Sequence, residues 1–218
     1  MNLINEEFCN LVHNEFFTEN VSLFLYSLIK CSRPHSIIEV GAGYSTLFIS
    51  KAIQDIQQEN LDFNSLLDSK NKFTGPGYNP IFRVIENFEH PDYIKEIVEV
   101  IKKYKLDKNL QFINKTIGKY LENSQDNYDL VWMDFGSGEE YMYFFKSFLK
   151  RLNEGGMIIV HSTITNLAGR LFSTEIKLMS KYDSSLEIMS IVEPHKSIQN
   201  SFTIIKKNAE YPIYTVWA

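Results

Sequence analysis

The sequence predicts an α/β domain: a doubly wound, seven-stranded sheet, mostly parallel, ending in an antiparallel C-terminal hairpin and preceded by N-terminal helices. Three observations carry that expectation. Short apolar runs at 36–40, 82–85, 110–113, 130–133 and 157–160 alternate with helical stretches, the pattern of βαβ units whose strands are covered on both faces. The last two apolar runs, 186–192 and 202–206, are joined by a loop with no helix, which makes them antiparallel neighbours. Glycine is also scarce, with 10 in 218 residues where average usage of about 7% gives about 15. Three close pairs among them are Gly41/Gly43, Gly136/Gly138 and Gly155/Gly156. A sequence sparing with glycine places it where the backbone demands it.

In chain order, residues 1–33 read as a helical cap. Phe8, Leu11, Val12 and Phe16 recur at helical spacing. Asn20 caps a second run with Leu23, Phe24, Leu28 and Ile29, which Pro34 ends. Residues 34–218 form the main domain. Strand Ser36–Val40 leads through the first glycine pair into a helix from about Ser45 to Gln57. Residues 59–80 are polar and turn-rich and read as an insertion or a lid loop. After strand Phe82–Ile85, a helix opening near Pro91 puts Ile94, Ile97, Val98, Ile101 and Tyr104 on one face. Strands Leu110–Ile113 and Leu130–Met133 follow. A helix from Glu139 to Leu152 comes next, with Ser137 and Glu140 as its capping box and Gly155-Gly156 as its stop. Strand Met157–Val160, a helix to about Tyr182, the terminal hairpin and an aromatic tail (Tyr211–Trp217) complete the chain. The tail suits a sheet edge or a partner copy, which leaves a homodimer open.

With 44% hydrophobic residues, the chain can build one sizeable core. Its net charge of -5 argues against a dedicated nucleic-acid binder. Lys102, Lys103, Lys105 and Lys108 read as a solvated helix end. Cys9 and Cys31 form neither a disulfide framework nor a metal spacing and read as buried reduced thiols. No apolar run approaches the ~20 residues a bilayer span needs. The first residues, with Glu6 and Glu7, do not read as a signal peptide, so a cytoplasmic protein is expected.

In an open parallel sheet, ligands bind beyond the carboxyl ends of the strands, beside the first strand. The residues there are Ile37-Ile38-Glu39-Val40-Gly41-Ala42-Gly43-Tyr44-Ser45-Thr46. The glycines allow a tight turn and close approach to a ligand, and the helix that follows offers unpaired N–H groups. A dinucleotide fingerprint needs a third glycine where Thr46 stands. Glu39, two residues before Gly41, repels a pyrophosphate and favours a ligand bearing an ammonium or sulfonium.

This stretch resembles motif I of the class I S-adenosylmethionine-dependent methyltransferases, Glu-x-Gly-x-Gly-x-Ser, and the resemblance extends from about Ile37 to Lys206. It implies a Rossmann-like fold with S-adenosyl-L-methionine as cofactor. Glu39, Gly41, Gly43, Tyr44 and Ser45 would then lie against its methionine part. Glu86, followed by Asn87, ends the second strand and would take the ribose hydroxyls. The gap from Gly43 to Glu86 exceeds the ~20 residues usual for that acid, and the 59–80 insertion accounts for it. By the same resemblance, Lys115-Thr116-Ile117-Gly118 would lie beside the adenine, and Asp134, also a cofactor-binding candidate, would close the site over the cofactor.

Asp134 is the candidate for binding a substrate amine or for base work, and His161, ending the fifth strand, joins it as a catalytic candidate. The catechol-type relatives hold a divalent metal through an Asp after strand four and an Asp-Asn pair after strand five. Here that pair is His161-Ser162, so no metal is expected. Phe16, Phe17, Tyr44, Tyr78 and Tyr141 are candidates for aromatic walls. The expected function is metal-independent methyl transfer to a small molecule. The rivals are attack on the aminobutyryl chain with release of methylthioadenosine, a non-catalytic nucleoside-binding protein and, last, a dehydrogenase.

Overall fold

The computed structural model describes residues 18–66, 77–87, 91–135 and 140–209. Helix α1 (Glu19–Ser32) precedes β1 (Ser36–Val40), α2 (Tyr44–Leu66) and β2 (Ile81–Glu86). Then come α3 (Pro91–Lys103), β3 (Leu110–Asn114), α4 (Ile117–Asn123), β4 (Tyr128–Met133) and α5 (Tyr141–Leu149). The chain finishes with β5 (Leu152–His161), α6 (Leu167–Tyr182), β6 (Leu186–Val192) and β7 (Ser201–Lys207). The seven strands form one sheet in the order β3-β2-β1-β4-β5-β7-β6. The first five are parallel, while β7 runs antiparallel to both β5 and β6. The predicted class and terminal hairpin are therefore present.

Successive residues of a strand point to opposite faces, and each face has its own core. Ile37, Trp132 and Ile159 pack with Leu25, Leu47 and Ile97 from α1, α2 and α3. Ile38, Val131 and Ile158 pack with Phe145 and Phe172 from α5 and α6. The chain winds outward from β1 to β3 and then returns to place β4 on the other side of β1. This reversal opens a crevice between the ends of β1 and β4.

Several local expectations change. Helix α2 runs on to Leu66, so the first part of the 59–80 insertion is helix. The extension is held by α1: Lys30 pairs with Glu59, and Arg33 donates to Asn60 Oδ1 at 2.9 Å. Because α2 starts at the crevice and runs away from it, residues 59–66 and 77–80 lie toward the opposite edge of the sheet. There Tyr78 donates to the Pro34 carbonyl at 2.9 Å, so Tyr78 builds no wall of the crevice. The described flanks of the insertion thus do not form a lid.

Helix α5 ends at Leu149, and Leu152 opens β5, so Gly155-Gly156 lies inside a strand and does not stop a helix. The β4–β5 register shifts between Tyr128 and Leu130, and Gly155 takes φ +76° in that irregularity. The N-cap of α1 is Thr18 in place of Asn20, and Val100 replaces Val98 among the buried residues of α3. Cys31 is exposed, contrary to the buried thiol expected. Phe8, Cys9, Phe16, Phe17, Gly136, Ser137, Gly138 and the Tyr211–Trp217 tail lie outside the described residues.

Candidate functional site

A crevice of about 690 Å³ lies along the carboxyl ends of the parallel strands, a size suited to a small ligand. Its central wall is the turn between β1 and α2. Gly41 has φ +91°, and a Cβ there would stand 2.3 Å from the Asp134 carbonyl oxygen, so only glycine fits. The turn is stitched on both sides: Gly41 N–H donates to Ile85 O at 3.0 Å, and Asp134 N–H donates to Val40 O at 3.1 Å. At Gly43 the nearest atoms to an added Cβ are those of Tyr93, at 3.9 Å, so that glycine keeps the turn open toward the crevice.

Glu39 does not line this crevice. It is 0% exposed beneath the turn, where its Oε1 receives the Ser45 hydroxyl and its Oε2 the Thr46 hydroxyl, the latter at 2.7 Å. Thr46 in turn accepts the Gly43 N–H at 3.0 Å, and Ser45 accepts the Trp132 indole N–H at 3.2 Å. Burial, working against these hydroxyl donors, pushes the Glu39 carboxyl up to about 8. Glu39 therefore holds the turn from below. Thr46, which the sequence presented only as a missing glycine, is the other half of that support.

Glu86 does face the crevice, and its Oε2 accepts the Ala42 N–H at 2.7 Å, joining the β2 end to the turn. A carboxylate has lone pairs beyond the one Ala42 takes, enough for a vicinal diol. Gly41, Gly43, Tyr44, Ser45 and Asn87 line the same half, and Thr116 and Ile117 extend it along the N-terminus of α4. Tyr93 was not singled out in the sequence. It comes from the first turn of α3, accepts the Tyr44 backbone N–H, and has its phenol pushed up by burial. Glycine backbone, a strand-end acid and an aromatic flank suit a nucleoside, so these residues fit the cofactor implied by motif I.

Asp134, Tyr141, Ser162, Thr165 and Gln199 line the other half. Asp134 keeps 28% side-chain exposure while its Oδ1 meets His161 Nδ1 at 2.9 Å. His161 is only 1% exposed and does not line the crevice. Strand alternation turns it into the core beside Trp132, with ring centroids 5.6 Å apart. The residue at the strand end is Ser162, in the left-handed region at φ +56°. His161 can therefore act only through Asp134. Glu140 is the N-cap of α5 with no side-chain cap bond and lines the crevice; its expected capping-box partner Ser137 lies outside the described residues.

The far rim is brought in from both ends of the chain. The Lys196 ammonium is 5% exposed and bridges Glu19 Oε1 at 2.8 Å and Glu193 Oε2 at 2.9 Å. Asn20 donates to the same Glu193 oxygen at 2.6 Å. Burial acts to raise the Glu19 carboxyl, but the hydrogen bond and charge of Lys196 hold it below the usual range. This knot fastens the start of α1 to the β6–β7 connection and sets Thr18 and Gln199 on the crevice wall. Nothing local in the sequence signals it. Among the described residues, no three His, Cys, Asp or Glu side chains gather as a metal site, and no helix is long and apolar enough to cross a membrane.

A family model described as a methyltransferase domain matches residues 38–163, more than half of the chain. A curated relative, the alpha N-terminal protein methyltransferase 1 of Caenorhabditis elegans, is 31% identical over 144 residues, covering 56% of this chain. The match spans 59% of that relative's length. Among solved structures, the O-methyltransferase TomG of Streptomyces achromogenes, in complex with S-adenosylmethionine, superposes with a TM-score of 0.66 at 15% identity. That match covers 94% of this chain and 91% of the other. The Podospora anserina methyltransferase PaMTH1, bound to S-adenosylhomocysteine, gives 0.66 at 15% identity, covering 94% and 89%. The Bacillus cereus O-methyltransferase, also with S-adenosylhomocysteine, gives 0.66 at 13%, covering 94% and 92%. At these identities the likeness is one of fold.

Proposed function

This chain belongs to the methyltransferase-domain family, and from that premise we propose that it is an S-adenosylmethionine-dependent, metal-independent methyltransferase acting on a small molecule in the cytoplasm. The observation that carries the reading is the turn at Gly41 and Gly43, stitched to the β2 and β4 ends and flanked by Glu86 and Asp134 on one crevice. When bound, S-adenosylmethionine supplies an electrophilic methyl group on a positive sulfonium. Glu86 accepts the ribose hydroxyls, the Gly41–Ser45 backbone lies along the methionine part, and Asn87, Thr116 and Ile117 border the adenine. Asp134 orients the acceptor, held by the His161 ring. Tyr141 and the half-buried Phe135, packed edge-on with centroids 5.7 Å apart, exclude water from that end.

Methyl transfer is an in-line displacement, so positioning and desolvation supply much of the rate. Metal independence is supported by the donor set: Asp134 is already engaged by His161, and His161-Ser162 stands where the Asp-Asn pair would be needed.

The test is to incubate the purified chain with S-adenosylmethionine, with and without catechol, tyramine or a short peptide with a free amino terminus, and to identify products by mass spectrometry. The peptide answers to the name of the Caenorhabditis elegans relative. Acceptor-dependent S-adenosylhomocysteine, insensitive to EDTA, is expected. Methylthioadenosine formed without any acceptor, or binding without turnover throughout, would contradict the reading.

A further inference from the structure

Resting on the reading above, we propose that the acceptor is an amine, captured through its N–H groups by Asp134, with His161 as the positioning residue that aims the carboxylate. The argument starts from charge. Among the described residues, Glu86, Asp134 and Glu140 line the crevice, and Lys115 is the only lysine or arginine that does so. Lys115 follows β3, three strands from β4, which is about 14 Å at the usual strand spacing. The acceptor half thus presents carboxylates with no cation opposite them. It suits a positive or N–H-donating ligand and repels a carboxylate or phosphate.

His161 does not cancel this charge. Its contact with Asp134 uses Nδ1, while Nε2 is buried with no hydrogen-bond partner among the described residues. A second ring proton would be an unpaired buried N–H beside the Trp132 ring, so the arrangement fits the neutral tautomer with its proton on Nδ1. That ring donates one hydrogen bond to Oδ1 and leaves the carboxylate its negative charge.

Reactivity points the same way. An alcohol is a weak nucleophile until a base or a metal draws off its proton; the described residues gather no metal site, and the Asp134 carboxylate already engages the His161 ring. A neutral amine needs neither. The amine comes from solution as the ammonium and gives up one proton to water as it enters the crevice, a loss that the nearby sulfonium charge favours and the Asp134 carboxylate opposes. Its lone pair then forms the N–C bond as the C–S bond breaks, and sulfur keeps that electron pair. The product leaves as the methylated ammonium with neutral S-adenosylhomocysteine. Asp134 accepts an N–H throughout and so turns the lone pair toward the methyl group. Tyr141 and Phe135 give the substituent of such an amine an aromatic wall.

Tyramine tests this directly because it offers an amine and a phenol on one small molecule; benzylamine, benzyl alcohol and benzoate serve as single-group probes. The purified full chain is incubated with S-adenosylmethionine and each probe, and the methylated atom is located by tandem mass spectrometry. N-methyltyramine and N-methylbenzylamine are expected. Asp134→Asn lowers amine turnover about 100-fold while S-adenosylhomocysteine affinity stays within about threefold. His161→Asn, whose amide N–H stands in for Nδ1–H, retains about 10-fold more kcat than His161→Leu at equal folded fraction. O-methylated tyramine, methylated benzyl alcohol or benzoate, or no methylated amine from a chain that binds S-adenosylhomocysteine overturns the proposal. Loss of S-adenosylhomocysteine binding in Asp134→Asn also overturns it, because Asp134 would then hold the donor. If the wild-type chain binds no S-adenosylhomocysteine at all, the underlying methyltransferase reading falls first.

Discussion

On the β1–β2 side the crevice wall centres on one continuous run, whereas on the β4–β5 side it is collected from separate segments. The first side is built around Val40–Ser45, with Glu86 bonded to the Ala42 N–H and Asn87, Tyr93, Thr116 and Ile117 beside it. The second is assembled from Thr18, Asp134, Tyr141, Ser162 and Gln199, which stand far apart in sequence. A local run fixes its own geometry through turn conformation, so it is recognisable one residue after another. A wall collected from five segments depends on how the whole sheet packs and on the Glu19–Lys196–Glu193 knot. On the proposed function, the difference separates a general donor site from a specific acceptor site.

The largest expected effect breaks the first side. Gly41→Ala must relieve both φ +91° and a 2.3 Å approach to the Asp134 carbonyl, at a cost on the order of 4 kcal/mol. Gly43→Ala, 3.9 Å from its nearest contact, changes stability by less than about 1 kcal/mol. Urea denaturation of the two variants checks the contrast, and equal losses would mean the turn is not built as described.

Lys196→Met loosens the second side. It leaves Glu19 and Glu193 partly buried without their cation and should cost about 3 kcal/mol. Hydrogen exchange should rise at 193–200 and the start of α1 while the Gly41 turn stays protected.

A more gradual effect concerns pH. Burial raises Glu39 from 4.5 to about 8 in the fold, so the folded chain binds this proton more tightly than the unfolded one. Stability should therefore fall as pH rises from about 4.5 to about 8 and level off above, by up to about 5 kcal/mol from this group. Glu39→Gln, neutral at every pH, should flatten that slope in thermal melts. An unchanged slope would place the titration elsewhere.

These contrasts explain what the sequence could reveal. The seven strands, the terminal hairpin and the Gly41 turn are local patterns of period and spacing, and they read correctly. Glu39 was recognised as essential to the motif, but strand alternation puts it under the turn, out of ligand reach. His161 ends its strand as expected, yet faces the core, leaving Ser162 at the rim. Gly155 looked like a helix stop because a bulge inside β5 uses the same positive φ as a helix end. Helix α2 outruns its apolar pattern because Glu59 and Asn60 find partners on α1, contacts that no local window contains. Tyr93, Gln199 and the Lys196 knot gain meaning only when distant segments meet.

The central claim, that the two halves of one crevice serve donor and acceptor separately, is tested most directly by titrating S-adenosylhomocysteine into the wild-type, Glu86→Ala and Gln199→Ala proteins by calorimetry. The account predicts at least about 10-fold weaker binding for Glu86→Ala, as loss of hydrogen bonds to a charged group implies. It predicts a change within about twofold for Gln199→Ala. Equal weakening by both variants, or loss of binding only in Gln199→Ala, would contradict it.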